Sequence, residues 1–148
     1  MATNPLVSQG TLNRVRCSVV VPAFSSLNIT SSFMGKSFAT IEFEEPFAEQ
    51  IKTGTGVVIS PEPYVMAKVT VGLLRTQSLA SAWLTQAQSA STLGDLYIHS
   101  DTSAFPAIYL AQTIIQDLNP GAYDGTDPVS KLILRGVYYV NNDLWNMV

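Results

Sequence analysis

Between Tyr64 and Asp101 the hydrophobic period changes twice, and this double change constrains the fold more than any other stretch of the chain. Val65, Ala67, Val69, Val71 and Leu73 occupy alternate positions with Lys68 and Thr70 between them, the pattern of a strand with one buried face. The spacing then lengthens. Leu79, Trp83, Ala87 and Ala90, with Ala80 and Leu84 widening the stripe, predict an amphipathic helix over 77–91 lying on a sheet. Thr76 or Ser78 is the expected N-cap, and Gly94 follows the helix end. The outer face, Ser81, Thr85, Gln86, Gln88 and Ser89, is polar without a charge, which suits a covered face better than a freely solvated one. Leu96 and Ile98 against Tyr97 and His99 return to strand alternation.

The flanking sequence reads as β structure. Residues 1–11 form a polar N-terminal arm. Val15, Cys17, Val19 and Val21 predict a strand ending at Pro22, and Leu27 and Ile29 predict a second that continues the first past a bulge, giving one long bent segment. Ala39, Ile41 and Phe43 alternate with Thr40, Glu42 and Glu44, a strand with an acidic face. With the short run 55–59 it is expected to form a projecting hairpin over 37–59, the segment AEQIKTGTG being its loop. Both alternating sets in 107–117 are apolar, predicting a strand covered on two sides, and the last long strand runs over 129–140. The tail 141–148 ends on Leu144, Trp145, Met147 and Val148, which predicts docking, either within the subunit or on a neighbour. The fold class is mainly β: seven or eight strands and one helix, in a single domain over 1–148.

Composition narrows the function classes. Only 13% of residues are charged, against roughly 25% in an average soluble protein. Another 47% are hydrophobic, and no run approaches the roughly 18 apolar residues of a membrane helix. A large subunit interface is the expected place for this apolar surplus. The net charge of −3 lacks the basic footprint that gripping nucleic acid requires. The N-terminus carries no secretory pattern, so the expectation is a cytosolic protein or one released by lysis.

Chemistry-bearing motifs are nearly absent. The single His99 lies two residues from Asp101, a possible general-base pair for a hydrolase, but spacing identifies no nucleophile beside it. The single Cys17 reads as a small buried hydrophobe. Glu42, Glu44, Glu45 and Glu49 lack calcium-loop spacing, and one His with one Cys provides no transition-metal set. Gly54, Gly56 and Gly72 form no phosphate-binding loop. No cofactor, metal or enzymatic activity is expected.

The order of these segments resembles the tail tube proteins of contractile-tailed bacteriophages. The resemblance is carried by VTVGLLRTQSLASAW followed by LGDLYIHSD, with LNITSSFMGKSF, TGTGVVISPEPY and DGTDPVSKLILRGVYYVNNDLW extending it over nearly the whole chain. It implies a β-sandwich or open barrel with one flanking helix that oligomerises through its sheet, a structural virion protein whose hexameric rings stack into the inner tail tube, a conduit for genomic DNA inside the contractile sheath. The implied partners are further copies of the chain, the sheath, baseplate and tail-terminator proteins, and the tape measure protein and DNA in the lumen without specific binding. The implied location is the tail of the virion, assembled in the host cytoplasm without a membrane anchor. Within that frame Glu42 and Glu44 are candidate lumen-facing residues that keep DNA phosphates from sticking. Leu144, Trp145 and Met147 are candidate inter-subunit anchors. A baseplate tube initiator or a secretion-system tube subunit has the same expected fold, and a monomeric small-ligand β-barrel is the alternative from another class.

Overall fold

The alternation over 65–73 folds as an eleven-residue strand, β6 (Tyr64–Leu74), in a computed structural model that describes residues 5–146. Val65, Ala67, Val69 and Val71 are completely buried, while Lys68 and Thr70 lie on the opposite face. One neighbour of β6 is β9 (Val129–Tyr139), paired antiparallel without interruption from Tyr64↔Tyr139 to Leu74↔Val129. The other is β3 (Met34–Phe43). Beyond β9 lie β8 (Ile108–Asn119), β7 (Thr92–His99), β1 (Ser18–Val20) and β2 (Ile29–Thr30), giving one antiparallel sheet in the order β2-β1-β7-β8-β9-β6-β3. A 3₁₀ turn over Ser31–Phe33 leads from one edge strand directly into the other. Ser18 and Ile98 near one edge and Met34, Phe38 and Ile41 on the other line a shared cleft of about 420 Å³. The sheet is therefore rolled into an open barrel with a seam.

Strand β8 explains its two apolar faces. Its register with β9 shifts between Ala111 and Ile114, where Gln112 adopts φ 50°. The extra residue reverses the side-chain phase, so Leu110, Thr113 and Ile115 are all buried although their spacing in sequence is mixed. The strand is not covered on both sides within the chain, since Ile114 remains exposed on the outer face. Gly94 has a comparable role in β7. It takes φ 83° at a register irregularity and does not cap the helix, whose last residues are Ser89 and the C-cap Ala90.

Helix α1 (Ser78–Ser89) buries Leu79 and Trp83 in the same core as Val69, Leu96, Leu110 and Leu134. Neither Thr76 nor Ser78 is its N-cap; Gln77 holds that position without a side-chain cap. The outer hydroxyls bond to the helix itself: Ser81 donates to Ser78 O, Thr85 to Ser81 O and Ser89 to Thr85 O, at 2.8, 3.0 and 3.0 Å. Polar side chains thus satisfy themselves without charged partners.

Two sequence expectations fail at the edges. Residues 14–16 form a 3₁₀ turn capped by the Asn13 side chain, and β1 and β2 fold back as an antiparallel pair instead of one bent segment. Asn28 Oδ1 accepts the Val21 N–H at 2.8 Å and fixes that reversal. Likewise β3 does not pair with 55–59. It joins β6, and the projecting hairpin is β4 (Ala48–Lys52) with β5 (Val57–Pro61), a separate two-stranded sheet. AEQIK is a strand, not a loop. The tight reversal is closed by Thr53 N–H to Gly56 O at 2.9 Å and Gly56 N–H to Thr53 Oγ1 at 3.1 Å.

Candidate assembly interface

The β4–β5 hairpin exposes four large apolar side chains, Ile51, Val57, Val58 and Ile59. Ile51 pairs with Val58 on one of its faces, while Val57 and Ile59 lie on the other, and Val57 and Ile59 are 59% and 68% exposed. A two-stranded sheet alone in water is marginal, so the stem matters. Phe47 packs edge-on to Phe43 at 5.3 Å, and Phe43 lies 4.8 Å from Tyr138, centroid to centroid. Asn141 Nδ2 donates to Phe47 O and to Glu62 O, at 2.9 and 2.7 Å, so the barrel grips both sides of the stem.

Beside the stem is an aromatic groove lined by Tyr109, Tyr138, Tyr139, Asn142 and Trp145. Trp145, in the 3₁₀ segment Asn142–Asn146, meets Tyr139 edge-on at 6.4 Å and stays 55% exposed; Leu144 is half-buried. Met147, the third expected anchor, lies outside the described residues, as do residues 1–4 of the arm. Residues 5–11 of the arm form no strand or helix and are exposed. On the outer sheet face Tyr97 and Tyr109 are 5.0 Å apart, and Tyr109 donates to Asp95 Oδ1 at 2.8 Å. That hydrogen bond, with burial second, pushes the Tyr109 hydroxyl up to about 12.

The face carrying Glu42 and Glu44 is not acidic. Pairing places Glu42 opposite Lys68, and Lys68 opposite Arg135. Arg135 Nη2 donates to Glu44 Oε2 at 2.6 Å. The alternation in β3 shows only its own carboxylates; the bases come from β6 and β9. Both side chains of the pair are about one-third exposed, so its contribution to stability is of the order of 0–1 kcal/mol.

His99 and Asp101 line the seam cleft together with Cys17. Among the described residues no hydrogen bond joins His99 to Cys17 or Asp101, and burial, then the Asp101 charge, pushes the Cys17 thiol up, the reverse of an activated nucleophile. Among the described residues no group of three or more His, Cys, Asp or Glu side chains is arranged to hold a metal ion, and no helix is long and apolar enough to cross a membrane. The aromatic groove and hairpin stem were missed from sequence because their members lie far apart in the chain. The available signals were the alternation of Val57 and Ile59 and the apolar Trp145 near the terminus.

These features define a mainly β, open-barrel fold with one flanking helix and an apolar hairpin held off its body. No protein-family profile matches the chain, and no curated protein matches its sequence. Among solved structures, the chain is similar to the cap that terminates the tube of the anti-feeding prophage, with a TM-score of 0.50 and 14% identity over 93% of this chain and 97% of that one. At this identity the likeness is one of fold alone: the chain shares the architecture of that tube-terminating cap.

Proposed function

We propose that this chain is a structural tail protein whose subunits form hexameric rings that stack into a tube, enclosed by a sheath and open to genomic DNA. The observation that carries the reading is the β4–β5 hairpin, which leaves Ile51 and Val58 on one face and Val57 and Ile59 on the other at least half exposed among the described residues. A monomer gains nothing by leaving such a surface in water, whereas a head-to-tail contact between identical subunits buries it and closes into a ring. The ten-residue edge of β3 adds a second reason to associate, because an unpaired strand edge is an aggregation liability unless a neighbour covers it. The shared fold with a tube component supports the same conclusion. Contacts to sheath, baseplate and terminator proteins follow from that role, and no catalytic activity belongs to it.

The lumen assignment of Glu42 and Glu44 is part of this proposal in altered form. Paired with Lys68 and Arg135, the carboxylates neutralise bases that would otherwise hold phosphates, instead of forming a repelling surface. A map of the assembled tube with both carboxylates against the sheath or inside the subunit core would overturn it.

A second reading, a ring that ends a tube, is favoured by the likeness to a tube-terminating cap. Negative-stain electron microscopy of the purified protein across a concentration series separates the two. Hollow tubes support stacking, isolated rings that never lengthen support the terminating role, and a monomer at every concentration contradicts both.

A further inference from the structure

Asn141 sits where the hairpin stem and the C-terminal tail meet, and it contacts both. Its φ of 50° lies in the left-handed region, which asparagine tolerates better than most residues with a side chain. That conformation ends β9 and turns the chain into the Asn142–Asn146 segment, where Leu144 N–H donates to Asn141 O at 2.9 Å. In the other direction its side-chain amide spans the stem, donating to the carbonyls of Phe47, just before β4, and Glu62, just after β5. The stem is closed by Glu62 N–H to Phe47 O at 2.9 Å, so the Phe47 carbonyl receives two donors. Among the described residues these are the side-chain hydrogen bonds that tie the barrel to the stem.

We propose that Asn141 is a positioning residue that couples the tail to the hairpin: its backbone turn is held by the docking of Trp145 on Tyr139, and its amide then fixes the hairpin's posture. Loosening the tail frees the Asn141 turn and so the stem. Securing it orders the hairpin before the hairpin meets anything. In a growing assembly, a neighbour that captured Trp145 would prepare the hairpin for the next contact. Only this consequence rests on the function proposed above; the coupling is a property of the single subunit.

Hydrogen exchange read by mass spectrometry tests it on the full chain, at a concentration where sedimentation shows one species for all variants. Asn141→Gly keeps the left-handed turn and removes the amide, and the isosteric Asn141→Asp removes its donors. Each should speed exchange over residues 49–59 by roughly tenfold, the effect of about two lost hydrogen bonds on a local opening, with β8 and β9 unchanged. Trp145→Ala should speed the same amides by roughly threefold in the wild-type background and add nothing to Asn141→Gly. Unchanged hairpin exchange in both Asn141 variants overturns the positioning role. A Trp145→Ala effect that is absent, or equal in both backgrounds, overturns the coupling. Microscopy showing only monomers would leave either result standing, so failure of the tube reading is separable from failure of this one.

Discussion

Strands β9 and β5 are made of similar residues and put to opposite uses. Leu132 and Leu134 of β9 are completely buried in one core cluster with Leu110 and Trp83, whereas Val57, Val58 and Ile59 of β5 are all more than half exposed. The difference is in what surrounds each strand. β9 has a partner on both edges and turns one face into the core, while β5 has one partner and leaves Val57, Val58 and Ile59 exposed among the described residues. Apolar alternation therefore specifies a strand in both places, and only the neighbours decide whether its energy goes into folding or remains available for association.

The sharpest way to test this contrast is to damage the barrel. Trp83→Ala removes the largest fully buried side chain and should cost about 3–5 kcal/mol in chemical denaturation, enough to abolish a folded baseline in a marginally stable chain. Gly136→Ala comes next. A Cβ there would lie 2.9 Å from Leu110 Cβ and 3.0 Å from Thr113 Oγ1, so the β8–β9 ladder should lose about 1–3 kcal/mol, visible as a lowered melting temperature. Smaller is the effect at Tyr109. Its hydroxyl is pushed from 10.0 up to about 12, so its neutral form is favoured in the fold. The stabilisation is complete below pH 10 and is lost as the pH rises from about 10 through about 12. Spectrophotometric titration should show one tyrosine ionising late, and Asp95→Asn should abolish the delay by removing the acceptor. The smallest effect is expected for Glu44→Gln, under about 1 kcal/mol, because its ion pair with Arg135 is solvated.

How much of this was legible depended on the distance over which each feature is decided. The strand over 65–73 and the helix stripe of Leu79 and Trp83 are local periodicities, and both fold as their spacing implies. The partner of β3 is a global choice. Sequence proximity favoured 55–59, but β6 offers a longer apolar face, and pairing there packs Ala39, Ile41 and Phe43, partly buried, against the core. The polar composition of AEQIK hid β4, whose register is set by the Thr53–Gly56 turn. The bulge at Gln112 was illegible because a phase reversal looks, residue by residue, like a strand with two apolar faces. In the candidate interface, Trp145 was readable as an apolar residue near a terminus. The groove it forms with Tyr109 and Tyr139 depended on tertiary pairing.

On the function proposed above, the hairpin's exposed apolar residues serve association and not folding. Sedimentation velocity on wild type and on Val57→Ser/Ile59→Ser, across one concentration series and beside denaturation curves for both, separates the two roles. The expected result is a stability difference within about 0.5 kcal/mol, as for substitutions at exposed sites, together with large wild-type assemblies that the variant does not form. A variant that assembles like wild type, or one that unfolds as a barrel variant does, would contradict it.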